Sequence, residues 1–279
     1  MVENGHVTEF GYSNPDRPTL GVQVLDFADL RARLPAHTLD VVHRADFHQL
    51  FLVTGGTGGM MVDFVDRPCS AGTLMHVAPG RVLRLPSAGL DVTMVLFTAD
   101  FPPRLDRAAG LLDSFGPVSW TVPPDDLAVD DLAAEYRRAV RDPDPVTVDL
   151  LRHLLAALLL RAVRSAPADE PGQSAAFRHF RRELESSFAK TRNAADYAAR
   201  VGYSVRGLNR LCQAATGHTA KALVDARVAL EAKRLLAHTD VPVAAIAHRL
   251  GFTEPTNFGK FFTRETGETP GAFRAGERA

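Results

Sequence analysis

The tightest constraint on this chain is a short turn that it spells twice. Gly202-Tyr203-Ser204 and Gly251-Phe252-Thr253 are about fifty residues apart and match position for position. In the later copy, Ala244, Ile246, Ala247 and Leu250 put apolar side chains on one side of a short helix that Pro242 opens. Gly251 breaks that helix, because glycine takes the left-handed conformation that the turn needs. Phe252 plugs the corner, and Thr253 is expected to cap a second helix running to about Thr266. That helix buries Phe258, Phe261 and Phe262 and presents Thr256, Lys260 and Thr263, with Gly267 and Pro270 ending it. The earlier copy runs from Asn193 to Val201, turns at Gly202 and Tyr203, and continues from Ser204 to Thr216. There Leu208, Leu211, Cys212 and Ala215 form one stripe, and Arg206, Asn209, Arg210 and Gln213 the opposite one.

A short helix, a glycine turn and an amphipathic helix make a helix-turn-helix, whose second helix lies in the DNA major groove. Arginine and asparagine make the two-pronged contacts that recognise guanine and adenine edges. The expected DNA-binding residues are therefore Ser204, Arg206, Asn209, Arg210 and Gln213 in the first unit, and Thr253, Thr256, Asn257 and Lys260 in the second. One basic helix face is ordinary solvated surface; two after matched turns are not. The first helix has four long side chains for base edges. The second has Gly259 at its centre and Lys260 as a point charge, which suits positioning on phosphate.

Residues 177–274 resemble the DNA-binding domain of AraC/XylS-type transcription regulators. The resemblance is carried by ADYAARVGYS, LNRL, TGHTAKALV and IAHRLGFTEPTNFGKFFTRETGETPGAFR in order, over slightly more than a third of the chain. It implies two helix-turn-helix units held apart by a linker helix, here about Ala220 to Ala237. Gly207 and Gly259 depart from the larger residues common in such proteins, and each costs about 1 kcal/mol of helix propensity relative to alanine.

Charge divides along the same line. Residues 1–172 hold 15 Lys+Arg against 23 Asp+Glu, a balance of −8; residues 173–279 hold 17 against 10, a balance of +7. A basic module beside an acidic one fits double-stranded DNA as partner. The two cysteines, Cys69 and Cys212, form neither a disulfide framework nor a thiolate metal site. No basic segment followed by an apolar run opens the chain, and the aliphatic run Leu154–Leu160 is too short to span a bilayer. A cytoplasmic protein with no membrane partner is expected.

From Leu20 to about Phe101 the pattern changes to short strands: 21–26, 39–43, 48–54, 60–65, 73–77, 82–85 and 92–97. Gly55-Gly56-Thr57-Gly58-Gly59 lacks the GK[ST] ending of a phosphate loop and is expected to be a hairpin turn. Frequent short strands with Gly/Pro turns predict a β-barrel or jelly roll. FHQLFLVTGGTGG followed by CSAGTLMHVAPGRVLRL resembles the cupin-like sensor half of AraC-type regulators. Metal-holding cupins supply histidine ligands, but here there is no His-x-His pair, and Leu83 stands where PGxxH would give one. No metal, cofactor or catalytic residue is expected. A barrel mouth lined by His43, Arg44, His48, Met60 and Arg84 is the expected site for a small-molecule effector.

Two helices follow, 125–141 and 146–164, the second rich in leucine at 150, 151, 154, 155, 158, 159 and 160 and expected to serve a homodimer. The polar stretch SAPADEPGQS reads as a linker. The expected architecture is a multidomain α and β protein. Residues 1–165 form a cupin-like β-barrel with two helices, 166–174 a linker, and 175–279 an all-α domain with two helix-turn-helix units. The expected function is an effector-responsive, sequence-specific transcription activator that contacts RNA polymerase. A cupin-type metalloenzyme tethered to a DNA-binding module and a ligand-independent dimeric regulator are the alternatives.

Overall fold

The computed structural model describes residues 9–33, 42–86, 89–113, 116–142, 144–167 and 175–277. The chain forms two compact units, one within Thr8–Pro167 and the other within Ala168–Ala279.

The first unit is built around one long strand. Its strands are β1 (Glu9–Phe10), β2 (Val22–Asp26), β3 (His43–Ala45), β4 (His48–Val62), β5 (Val65–Ser70), β6 (Thr73–Val77), β7 (Val82–Arg84), β8 (Leu90–Phe97) and β9 (Ser119–Thr121). Residues His48–Gly56 of β4 pair with β8, and Gln49–Leu52 also pair with β6. Beyond them, Thr57–Val62 pair with β5, and Met61 and Val62 with β7. The glycine-rich segment expected to be a hairpin turn is therefore the corner where one strand passes from one ladder to the next. Its register shifts between Val53 and Gly55, as at a bulge. Gly56 has φ +79°, and a Cβ there would stand 1.9 Å from the Gly89 carbonyl oxygen, so only glycine fits. The real hairpin turn is Asp63-Phe64, both at positive φ, between paired Val62 and Val65. Phe64 tolerates this because it packs against Val42, Met61 and Val82, while Asp63 Oδ1 accepts from the Val82 amide at 3.2 Å.

Alternation along β4 splits the core. Leu50 and Leu52 face Leu74, Val95, Phe97 and the helices; Phe51 and Val53 face Met60, Val62, Met75, Leu83 and Met94. Among the described residues the ladder runs β1-β3-β7-β4-β6-β9 and stays open, so the sheet shown is not a closed barrel. Of the expected strand 39–43, residues 39–41 lie outside the described residues, and β3 begins at His43.

Two short helices, α1 (Phe27–Arg33) and α2 (Ala109–Leu112), accompany the sheet. The helix expected at 125–141 is a 3-10 turn at Pro124–Leu127, then Ala128 in the left-handed region, then α3 (Val129–Arg141). Next comes α4 (Pro145–Ser165), capped by Asp144 accepting from the amides of Val146 and Thr147. Leu151, Leu155, Leu158 and Leu159 are buried against the sheet and α3. Val146, Leu150 and Leu160 stay 67%, 47% and 41% exposed. Of the expected linker 166–174, residues 168–174 lie outside the described residues.

The second unit is helical: α5 (Ala175–Ser187), α6 (Ala194–Arg200), α7 (Val205–Thr216), α8 (Ala220–His238), α9 (Val243–Arg249), α10 (Pro255–Thr266) and α11 (Pro270–Glu277). Pro270 thus opens a further helix beyond Gly267, because proline fits a first helical turn. The first core joins Phe177, Phe180 and Leu184 of α5 to Tyr197, Leu208, Cys212 and Val224. A second is an aromatic chain, with Phe252 edge-on to Phe258 and Phe262 edge-on to Phe273.

Candidate nucleic-acid interface

Both turns form as the repeated tripeptide requires. Gly202 has φ +73° and Gly251 φ +76°, each closing a seven-residue helix before a twelve-residue one. In the first unit, Ser204 caps α7, its Oγ accepting from the Gly207 amide at 3.1 Å. Arg206, Arg210 and Gln213 project into solvent from α7.

Asn209 departs from expectation. It is half-buried, and its Oδ1 accepts from the Ala220 amide at 3.0 Å, capping α8. Two-pronged recognition of adenine uses both ends of the amide, and one end is already engaged in folding. Gly207 has a local reason: a Cβ there would stand 3.3 Å from both Ser204 Oγ and Tyr203 Cδ1.

In the second unit, α10 begins at Pro255, and its capping residue is Glu254, which makes no side-chain cap bond. Thr253 is therefore not the cap; proline at the first helical position moves the start one residue on. Thr253, Thr256, Asn257 and Lys260 are all exposed, and among the described residues nothing lies within 4 Å of a Cβ on Gly259.

Charge pairing separates the remaining cations. Arg227 is buried between Glu185 and Glu231, which also takes Arg234, and Asp225 takes Lys221 and Arg264. Arg206, Arg210 and Lys260 make no ion pair among the described residues. The exposed faces of α7 and α10 therefore keep these three cations, and Arg182, Lys190 and Arg249 are exposed elsewhere in the unit. Sequence periodicity did not single out Arg192, a loop residue whose guanidinium stacks over Phe252 at 3.4 Å. Burial pulls its pKa below the ordinary arginine value, and Asp225 opposes that shift.

A family model described as a helix-turn-helix domain matches residues 197–276. The HTH-type transcriptional activator RhaS of Shigella sonnei is 30% identical over 246 residues, covering 84% of this chain and 87% of that protein. The chain belongs to the AraC/XylS-type transcription regulators. RhaS of Escherichia coli O139:H28 is 29% identical over the same shares of both chains. Among solved structures, fatty-acid-bound ToxT of Vibrio cholerae aligns with a TM-score of 0.43 at 13% identity, over 91% of this chain and 94% of that one. A regulator of Chromobacterium violaceum with an AraC-type DNA-binding domain aligns with a TM-score of 0.34 at 22% identity, over 37% and 91%. This AraC/XylS-type regulator is thus a DNA-binding transcription regulator, and the metalloenzyme alternative falls.

The regulator's five expected effector residues do not converge on one space. His43 pairs with Leu83 and shares its face with Val62 and Met60, where Met60 is buried in core. Arg44 pairs with Val82 and Arg84 with Met61, so both sit on the opposite face. His48 lies elsewhere, on the side that meets the helices. Its ring stacks on Phe97, and its Nδ1 is 3.1 Å from His76 Nε2. Burial pushes the His48 pKa down to about 4 and holds His76 well below its ordinary value. Two neutral imidazoles sharing one hydrogen are a packed core feature. Among the described residues no three His, Cys, Asp or Glu gather as a metal site, and no helix is long and apolar enough to cross a membrane.

Proposed function

We propose that this regulator reads a bipartite site on double-stranded DNA, with Arg206, Arg210 and Gln213 of α7 recognising base edges. Thr256, Asn257 and Lys260 of α10 chiefly set position, and Ser204 and Thr253 lie at the phosphate backbone. Asn209 contributes its amide nitrogen while its oxygen caps α8. The observation that carries this reading is the pairing pattern: Arg206, Arg210 and Lys260 are exposed and make no ion pair among the described residues, whereas Lys221, Arg227 and Arg234 of α8 are held by carboxylates. Selection of bound sequences from random duplex DNA by the full-length protein tests it. Two short conserved segments, the stronger opposite α7, are expected; a single uninformative segment would refute it.

The regulator acts as a cytoplasmic activator whose cupin-like sensor domain (1–165) and DNA-binding domain (175–279) are joined by a linker at 166–174. Curated activators as relatives support the sign. The exposed Val146, Leu150 and Leu160 on α4 form the homodimer contact, and RNA polymerase is met from the DNA-bound dimer. Sedimentation of Leu150→Glu tests the dimer: the variant should sediment as a monomer. For the effector, one observation favours a regulator that responds to no small molecule. On the inner face of the sheet Phe51, Met75, Leu83 and Met94 belong to one packed apolar cluster and are at most 1% exposed. A thermal-shift screen decides, since a ligand of the folded state raises its melting temperature.

A further inference from the structure

Between α5 and α6 the chain makes a short loop, Phe188 to Asn193, that touches both helix-turn-helix units. It is fastened to the first unit at several points. The Thr191 hydroxyl donates to Asp196 Oδ2 at 2.5 Å, and buried Tyr197 donates its hydroxyl to the Thr191 carbonyl at 2.9 Å. The amides of Lys190 and Thr191 turn back onto the Ser187 carbonyl of α5 at 2.8 and 3.1 Å. On its other side the loop meets the turn of the second unit. The Arg192 guanidinium lies 3.4 Å from the centroid of Phe252, the plug of that turn, and its buried Nη1 makes no hydrogen bond among the described residues. The Ala189 carbonyl oxygen stands 2.6 Å from where a Cβ on residue 251 would be, so backbone meets backbone there through a glycine. Among the described residues the first turn is open: no atom lies within 4 Å of a Cβ on Gly202, and Tyr203 is 43% exposed where Phe252 is 4%.

We propose that residues 189–192 are a strut that fixes the distance and phase between the two recognition helices, making Arg192 a positioning residue for operator spacing. The proposal rests on the bipartite reading above. The linker helix α8 alone joins the units along one line, and a second contact away from that line is what resists rotation about it. Two reading heads held rigidly accept one separation on DNA, because each added base pair shifts the second segment by about 3.4 Å and about 35° around the axis. An arginine plane on an aromatic ring is suited to this, since its geometry is set by stacking and not by a flexible ion pair.

The test uses the full-length protein and the duplex it selects from a random pool. One base pair is inserted or removed between the two conserved segments, and affinity is measured for wild type, Arg192→Ala and Arg192→Gln at two salt concentrations. Wild type should lose about 30-fold or more on either change, the size of one or two mismatched base pairs. Both variants should lose less than about 5-fold on the same change, with base preferences inside each segment unaltered. Circular dichroism of each variant confirms that it is folded, and the glutamine variant keeps the side chain's bulk if the alanine variant is not. The proposal is overturned if the variants bind every spacing more weakly while the spacing penalty stays intact. It is equally overturned if the salt slope falls by about one with that penalty unchanged, which would make Arg192 a phosphate contact. If wild type selects one undivided segment, the bipartite reading fails and the strut with it. That pattern is distinct from a divided site whose penalty the variants preserve.

Discussion

The two helix-turn-helix units carry matching tripeptide turns and the same helix lengths, yet they are built and held differently. The first is closed by side-chain caps, with Ser204 on the Gly207 amide and Asn209 on the Ala220 amide. It is tied to α8 through Glu185 and the buried Arg227. The second has no side-chain cap on α10 and is closed by aromatic packing around Phe252, Phe258 and Phe262. Its tie to α8 is Arg264 on Asp225, with the arginine mostly exposed. The lesson is that a repeated motif fixes backbone shape, while the residues between its landmarks decide which forces maintain that shape and which side chains remain for DNA.

The largest effect expected from this contrast lies in the ties to α8. Arg227→Ala removes the cation between two carboxylates, one of them the buried Glu231, and should cost about 3–5 kcal/mol. Arg264→Ala breaks a solvent-screened pair and should cost no more than about 1 kcal/mol. Urea denaturation of the full chain, followed by far-ultraviolet ellipticity, measures both. Equal losses would mean that the units are anchored alike.

The turns come next. Alanine at Gly202 meets open space and suffers only the left-handed backbone cost of about 1–2 kcal/mol. Alanine at Gly251 suffers the same cost and also overlaps the Ala189 carbonyl, adding about 1–3 kcal/mol of overpacking. The same denaturation experiment should rank Gly251→Ala clearly below Gly202→Ala. A reversed order would remove the close approach on which the difference rests.

For DNA the asymmetry runs the other way, with the first unit the more sensitive. Arg206→Ala or Arg210→Ala should cost about 1–3 kcal/mol of binding and relax preference at particular base pairs. Lys260→Ala should weaken all sequences similarly and make the salt dependence shallower. Affinities across single-base variants of the selected site, at two salt concentrations, separate the two behaviours. If Lys260→Ala changes base preference and the arginine variants leave it intact, the division of labour is wrong.

Legibility in the sequence followed the range of the interactions. Turns, stripes and helix limits near 205–216 and 255–266 are set by neighbours within a few residues, so periodicity and glycine placement revealed them. What depends on distant partners was hidden. Gly55–Gly59 looked like a turn because the Gly89 carbonyl that forces glycine at 56 is over thirty residues away. Asn209 sat on the polar stripe as expected, but only the fold reveals that its carbonyl is committed to α8. The expected effector residues were assigned to one barrel mouth, but strand register, which depends on distant partners, distributes them over different faces. Arg192 belongs to no periodic pattern at all.

The smallest effect concerns the caps, and it isolates the local part of the contrast. Ser204→Ala removes the oxygen that accepts from the Gly207 amide and should cost about 1 kcal/mol of stability. Thr253→Ala, at the matching position, removes no cap, because α10 starts at Pro255 with Glu254 before it; its stability cost should be within about 0.5 kcal/mol of zero. Either substitution also deletes a hydroxyl near the DNA backbone, so stability must be measured without DNA and binding separately. If Thr253 contacts phosphate, its alanine variant loses affinity across all sequences without losing stability, whereas Ser204→Ala loses both. Matched stability losses at 204 and 253 would show that the second unit uses the same cap as the first, and that proline has not displaced it.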